Sequence, residues 1–133
     1  MRRNILTIDI RKPVDIVFRF TLNPKNTPKW IPSILEERTS DRVVKVGTVY
    51  YQKVDDGTKI PKQAALVVTG FIENRRLDFH LVNGKYSCHY LYEAIPSGTR
   101  LTYSEENGVD GEIESPMTKE ALLTLKRLLE EET

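Results

Sequence analysis

Between residues 4 and 11 apolar and polar side chains alternate, with Leu6, Ile8 and Ile10 on one side and Ile5, Thr7 and Asp9 on the other. This period of two predicts a strand, Asn4 to Arg11, with one apolar face. Pro13 stops it. The period then changes to that of a helix: Val14, Val17, Phe18 and Thr21 share a side, and Asp15 lies in the first turn, where a negative charge suits the helix N-terminus. A short helix is therefore predicted over Val14 to Leu22. It ends at Asn23-Pro24, because the residue before a proline is pushed out of the helical region. Thr27 as a cap and Pro28 as the opening residue predict a second, very short helix that carries Trp30 and closes at Pro32.

From Leu35 onward the pattern is of strands and turns. Leu35 to Thr39, Thr48 to Val54, Ala64 to Phe71, Leu77 to Val82, Lys85 to Glu93 and Thr99 to Glu106 are rich in Val, Tyr, Phe, Leu and Thr. Asp56-Gly57, Glu73-Asn74-Arg75, Asn83-Gly84 and Ser97-Gly98 separate them with hairpin-type turns. With the first strand this makes about seven, mostly antiparallel because the connections are short. Asn107 to Gly111 is polar and reads as a loop. Ser115 as N-cap and Pro116 at the first helical position predict a closing helix, with Met117, Ala121, Leu122, Leu125, Leu128 and Leu129 in one stripe. Its last turn, Glu130 to Glu132, opposes the helix dipole and is expected to fray. No internal repeat or low-complexity tract interrupts residues 1–133, which read as a single domain.

The order strand, two short helices, strands, long helix is one observation; three stretches sharpen it. Ile8 to Phe20 (IDIRKPVDIVFRF), Asn23 to Ile34 (NPKNTPKWIPSI) and Gly98 to Tyr103 (GTRLTY) resemble the START/birch-allergen-like superfamily, often called SRPBCC. Its bacterial members include polyketide cyclases and dehydratases, and the resemblance runs over almost the whole chain. It implies an α+β helix-grip fold, in which the long final helix lies across a bent antiparallel sheet and two short helices plug one end. A helix with one apolar stripe must bury that stripe, and the concave side of such a sheet is its natural partner. The cystatin-like cone of steroid isomerases also combines a bent sheet with a pocket, but those chains lead with helices and end in strands.

Charge narrows the partners. Lys plus Arg is 20 against 19 for Asp plus Glu, so the net charge of +1 provides no field to attract nucleic acid. No stretch approaches the ~20 apolar residues of a membrane span, and stable membrane insertion is not expected. Cys88 is the single cysteine, which excludes an internal disulfide and suits a reducing compartment; the expected location is the cytoplasm. The N-terminus reaches Asp9 and Arg11 too soon for the apolar run of a signal peptide.

Chemistry is thinly signalled. No P-loop, dinucleotide fingerprint, HExxH or CxxC occurs, and no cofactor is expected. His80 and His89 lie on neighbouring predicted strands and could face each other, with Asp78 as a third ligand. Yet Leu77, Phe79 and Leu81 take the inward positions, which puts Asp78 and His80 outside, and no metal is expected. The next strand is more suggestive: Tyr86, Cys88, Tyr90 and Tyr92 share one face. Phenols suit a half-polar pocket wall, and equally suit an aromatic ladder that only stabilises the sheet. Tyr103 extends either arrangement. Cys88 has no base or cation beside it and reads as an inert buried thiol. Of Tyr50 and Tyr51, one must point inward. Lys59/Lys62 and Arg75/Arg76 read as solvated loop charges.

The resemblance implies a ligand space between sheet and final helix. The candidate ligand-binding residues are thus Trp30, Tyr50, Tyr86, Cys88, Tyr90, Tyr92, Tyr103, Leu122 and Leu125, with Trp30 at the mouth. Three functions follow as expectations. The first is binding of a small hydrophobic molecule, such as a lipid, a polyketide or a sterol-like compound, by a monomer or homodimer. The second is a cyclase or dehydratase, which needs an inward ionisable residue that the pattern does not identify. The third is a protein-interaction module with a filled interior.

Overall fold

The computed structural model describes residues 2–108 and 111–131. Its elements are β1 (Arg3–Ile10), α1 (Val14–Leu22), α2 (Thr27–Trp30), β2 (Ile34–Thr39), β3 (Val49–Val54), β4 (Lys62–Ile72), β5 (Arg76–Leu81), β6 (Ser87–Ile95), β7 (Gly98–Glu106) and α3 (Lys119–Glu131). The strands form one seven-stranded antiparallel sheet in the order β1-β7-β6-β5-β4-β3-β2. Strands β2 to β7 follow one another as a meander, and β1 joins the far edge against β7, from Arg3 opposite Glu106 to Ile10 opposite Thr99. Register shifts at Ile34/Glu36 and Val68/Gly70 mark bulges, which add bend and twist to a sheet. The result is the curled half-barrel of an α+β helix-grip fold.

The alternation of β1 survives intact, with Leu6, Ile8 and Ile10 turned to the core. Helix α1 buries Val17, Phe18 and Thr21. Helix α3 lays Ala121, Leu122, Leu125 and Leu129 on the concave side of the sheet. Leu122 and Leu125 are almost fully buried, and each such side chain contributes about 1.5–3 kcal/mol relative to exposure.

Both predicted caps need correction. Helix α3 starts at Lys119, not at Pro116, and its cap is Thr118, whose Oγ1 accepts the Ala121 N–H at 3.1 Å. The reason lies outside the helix. The Met117 N–H donates to Glu105 Oε2 (2.6 Å) and its carbonyl accepts from Asn4 Nδ2 (2.9 Å), so the segment before Thr118 is committed to the sheet. Met117 still packs against the core, but from an extended segment. Thr27 likewise lies within α2 rather than capping it, and its hydroxyl donates to Glu37 Oε1. In the last turn of α3, Glu130 is tied to its surroundings. Glu130 accepts from Lys126 Nζ (2.7 Å) and from the Arg11 backbone N–H (2.9 Å), while Glu132 lies outside the described residues. Part of the predicted loop over 107–111 also lies outside them. Among the described residues no helix is long and apolar enough to cross a membrane.

Candidate functional site

Strand β6 and the residue before it supply the centre of the interior. Tyr86, Cys88, Tyr90 and Tyr92 alternate onto the concave face, as strand geometry requires. Tyr103 sits beside Tyr90 on β7. Tyr50 is the inward member of its pair, and Tyr51 faces out beneath the Arg38 guanidinium, 4.2 Å from its ring centre. Trp30 closes one end from α2, with Leu122 and Leu125 above on α3. Apart from half-buried Tyr86, none of the predicted site residues is more than 8% exposed.

Tyr90 is the hub. Its ring meets Trp30, Phe79 and Tyr103 edge-on, at centroid distances of 6.4, 5.9 and 5.1 Å, and stacks with Tyr92 at 6.3 Å. Such pairs contribute about 0.5–1.5 kcal/mol each beyond the area they bury. The expected residues therefore meet as a packed aromatic cluster.

The polar tips sort the tyrosines by role. Tyr50 donates to the Leu22 carbonyl (2.6 Å), satisfying an orphan acceptor at the end of α1. Tyr92 shares a 2.5 Å hydrogen bond with Thr21 Oγ1, and Tyr86 donates to Glu105 Oε1 at 2.7 Å. Tyr103 approaches the same oxygen at 3.3 Å. Burial raises the pKa of all these phenols, so they stay protonated donors. One neighbour differs. Among the described residues the Trp30 Nε1–H is the one buried side-chain polar atom with no hydrogen-bond partner.

The interior also holds carboxylates, contrary to the reading that no inward ionisable residue is identifiable. Glu105, on β7, is 3% exposed and takes four donors: the Tyr86 and Tyr103 phenols on Oε1, and Asn4 Nδ2 and the Met117 N–H on Oε2. The alternation carried this signal, since Leu101, Tyr103 and Glu105 share one face of β7. Charge argued against it, because a lone carboxylate is costly to bury and its donors come from distant parts of the chain. Glu37 on β2, half-buried at the edge of the interior, is the second. Burial raises its pKa, against hydrogen bonds from Thr27 and from Gln52 Nε2 (2.6 Å) that favour the ionised form. Cys88 is buried and its thiol is pushed up to about 12, which removes it as a nucleophile.

His80 and His89 do not face each other. The register sets Asp78 opposite His89 and Ser87 opposite His80, and His89 Nδ1 lies 2.6 Å from Asp78 Oδ1 on the outer face. Among the described residues no three His, Cys, Asp or Glu side chains gather as a metal-ligating group. Two shallow depressions lie outside the sheet–helix interior. One lies along Arg11, Lys126 and Glu130, and the other, of about 240 Å³, lies around His89 and Ser104.

No family model matches the chain, and no curated protein matches it in sequence. Solved structures do match in fold. A protein from Nitrosomonas europaea superposes with a TM-score of 0.78 at 18% identity, over 99% of this chain and 96% of its own. A polyketide-cyclase-like protein from Corynebacterium glutamicum gives 0.61 at 21% identity, over 82% and 67% of the two chains. The Aha1 dimer from Colwellia psychrerythraea gives 0.68 at 16% identity, over 98% and 97%. These likenesses, together with the topology, place the chain in the SRPBCC-type helix-grip fold.

Proposed function

We propose that the chain binds a small, mainly apolar molecule bearing a hydrogen-bond acceptor, in the space now closed by Trp30, Tyr90 and the Leu122/Leu125 face of α3. The observation that carries this reading is the buried indole N–H of Trp30, which has no hydrogen-bond partner, on a ring that meets the Tyr90 ring edge-on at 6.4 Å. An unmade hydrogen bond of a buried donor costs about 1–3 kcal/mol, and native interiors seldom leave one without a purpose. An acceptor entering between the two rings removes that cost. Aromatic and aliphatic walls with few polar groups are the usual lining of such sites. Entry requires α2 to move, and that element is only four residues long.

Carriage is favoured over cyclase-type catalysis by the state of the carboxylates. Glu105 has both oxygens occupied by Tyr86, Tyr103, Asn4 and Met117, and Glu37 has one oxygen on Thr27 and the other on Gln52, whereas a proton relay to a ligand at Tyr90 needs a free acid or base beside it. The deciding experiment is native mass spectrometry before and after denaturing extraction, with Trp30 fluorescence titrated against lipids and aromatic polyketides. Supporting results are a bound mass released on unfolding, or a saturable change in emission. A clean apo mass with no spectral response overturns the reading and favours a protein partner. The Aha1 neighbour was solved as a dimer, and the monomer or homodimer expected for this chain is read from the same native spectra.

A further inference from the structure

The convex face of the sheet carries a second arrangement that the interior site does not use. Gly70, Asp78, His89 and Ser104 lie in register across four adjacent strands, β4, β5, β6 and β7. The Asp78 carboxylate is seated where Gly70 has no side chain, since a Cβ there would come 2.1 Å from Asp78 Oδ2. A glycine inside a strand weakens it, and this one makes room for a carboxylate. Arg76 Nε holds Oδ2 at 2.7 Å, and His89 Nδ1 meets Oδ1 at 2.6 Å. Burial opposes the charge on Asp78, but the bonds from His89 and Arg76 outweigh it and hold its carboxyl below the usual carboxylate range.

An ionised Asp78 accepts the Nδ1–H and leaves Nε2 as the basic nitrogen. The two ring nitrogens of imidazole point to nearly opposite sides, so with Nδ1 on Asp78, Nε2 faces away from that carboxylate. The residue opposite His89 on β7 is Ser104, and both line the same depression of about 240 Å³ with Arg3 and Glu106. Directly opposed side chains on neighbouring strands stand about 4.5–5.5 Å apart at Cβ, and nucleophile–base pairs are often looser without substrate. Arg3 spends its Nε on Glu106 (3.1 Å), and a guanidinium has further donors with which to meet an oxyanion.

We propose that Ser104, His89 and Asp78 form a surface acyl-transfer site for small esters, with Ser104 as nucleophile, His89 as base and Asp78 as the group that orients it. Ser104 Oγ attacks the ester carbonyl carbon as its proton passes to His89 Nε2. The tetrahedral intermediate collapses, the carbon–oxygen bond to the alcohol breaks, and His89 returns the proton to the departing oxygen. Water then attacks the acyl-serine by the same route, releasing the carboxylic acid and restoring Ser104, so that ester and water give acid and alcohol with no other reactant.

The probe is p-nitrophenyl acetate with the full chain at neutral pH, read by p-nitrophenol release and by peptide mass of the briefly reacted protein. The expected result is an acetyl group on Ser104. It is absent from S104A, and acylation falls by about a hundredfold in D78N, in line with removal of an orienting group or base. G70A, which displaces the Asp78 carboxylate, changes the rate in the same direction. S104A alters only an outward side chain, so it decides the matter even where D78N or G70A fails to fold. Acetyl found only on other residues, or S104A releasing nitrophenol at the wild-type rate, overturns the proposal. Neither result bears on the interior site, which lies on the other face of the sheet.

Discussion

The backbone N–H of Met117 donates to the carboxylate of Glu105 at 2.6 Å, tying the approach to α3 to the inner face of β7. Asn4 completes the tie by bonding both the carboxylate (2.8 Å) and the Met117 carbonyl (2.9 Å). One buried side chain thus joins the two ends of the sheet's sequence to the closing helix. Glu105→Ala leaves its donors without an acceptor and should cost about 1–3 kcal/mol, the range for a buried donor left unsatisfied. Urea unfolding measures it; a loss below 1 kcal/mol, on the scale of an ordinary surface change, would contradict the clamp.

The far end of α3 gives a pH dependence. Hydrogen bonds from Lys126, and from the backbone and side chain of Arg11, lower the Glu130 carboxyl from 4.5 to about 2. A carboxyl with a depressed folded pKa adds stability that is complete above its unfolded value and disappears as pH falls through the folded one. The stability gap between the wild type and Glu130→Gln should therefore be constant from neutral pH down to about 4.5 and close between about 4.5 and 2. Thermal melts of both proteins across that window provide the test, and a gap that stays open at pH 2 counts against the assignment.

Cys88 should be silent to thiol reagents in the native state. Burial pushes its thiol up to about 12, so little thiolate exists at neutral pH and no reagent reaches it without opening of the core. Labelling with a disulfide reagent is expected to follow global unfolding, with a rate that rises with urea. Rapid labelling in buffer alone would show that the cluster opens locally.

Two phenol deletions separate architecture from binding. Tyr50→Phe removes the donor to the Leu22 carbonyl and should cost about 1–2 kcal/mol, whereas Tyr90→Phe keeps the ring that packs on Trp30, Phe79 and Tyr103 and should leave stability within about 0.5 kcal/mol. If the interior receives a ligand, Tyr90→Phe weakens its binding nonetheless. Parallel melts and ligand titrations distinguish the pair, and equal destabilisation by both changes would remove the special status of Tyr90.

Much of this was legible in the residues themselves. The alternation of Leu6, Ile8 and Ile10, the span of α1, the stripe Ala121–Leu122–Leu125–Leu129, and the inward set Tyr86, Cys88, Tyr90 and Tyr92 all appear in the structure where their periods place them. Periodicity is local, and the hydrophobic effect acts on it wherever the chain folds. The order of elements and the resemblance to a known superfamily then suffice for the helix-grip architecture.

What the tertiary structure alone decided is the pairing of polar groups. Ser115 is the cap that the sequence predicts, and the role falls to Thr118 because Glu105 and Asn4 claim the backbone of Met117. Alternation puts Glu105 on the face of Leu101 and Tyr103, but the four donors that let it be buried are set by the fold, and His89 finds Asp78 instead of His80 because one register among several is realised. A hydrogen bond acts over about 3 Å and depends on direction, so its partner is set by which strands lie side by side. Period and composition state which face a residue takes; only the folded chain brings Gly70, Asp78, His89 and Ser104 into one row.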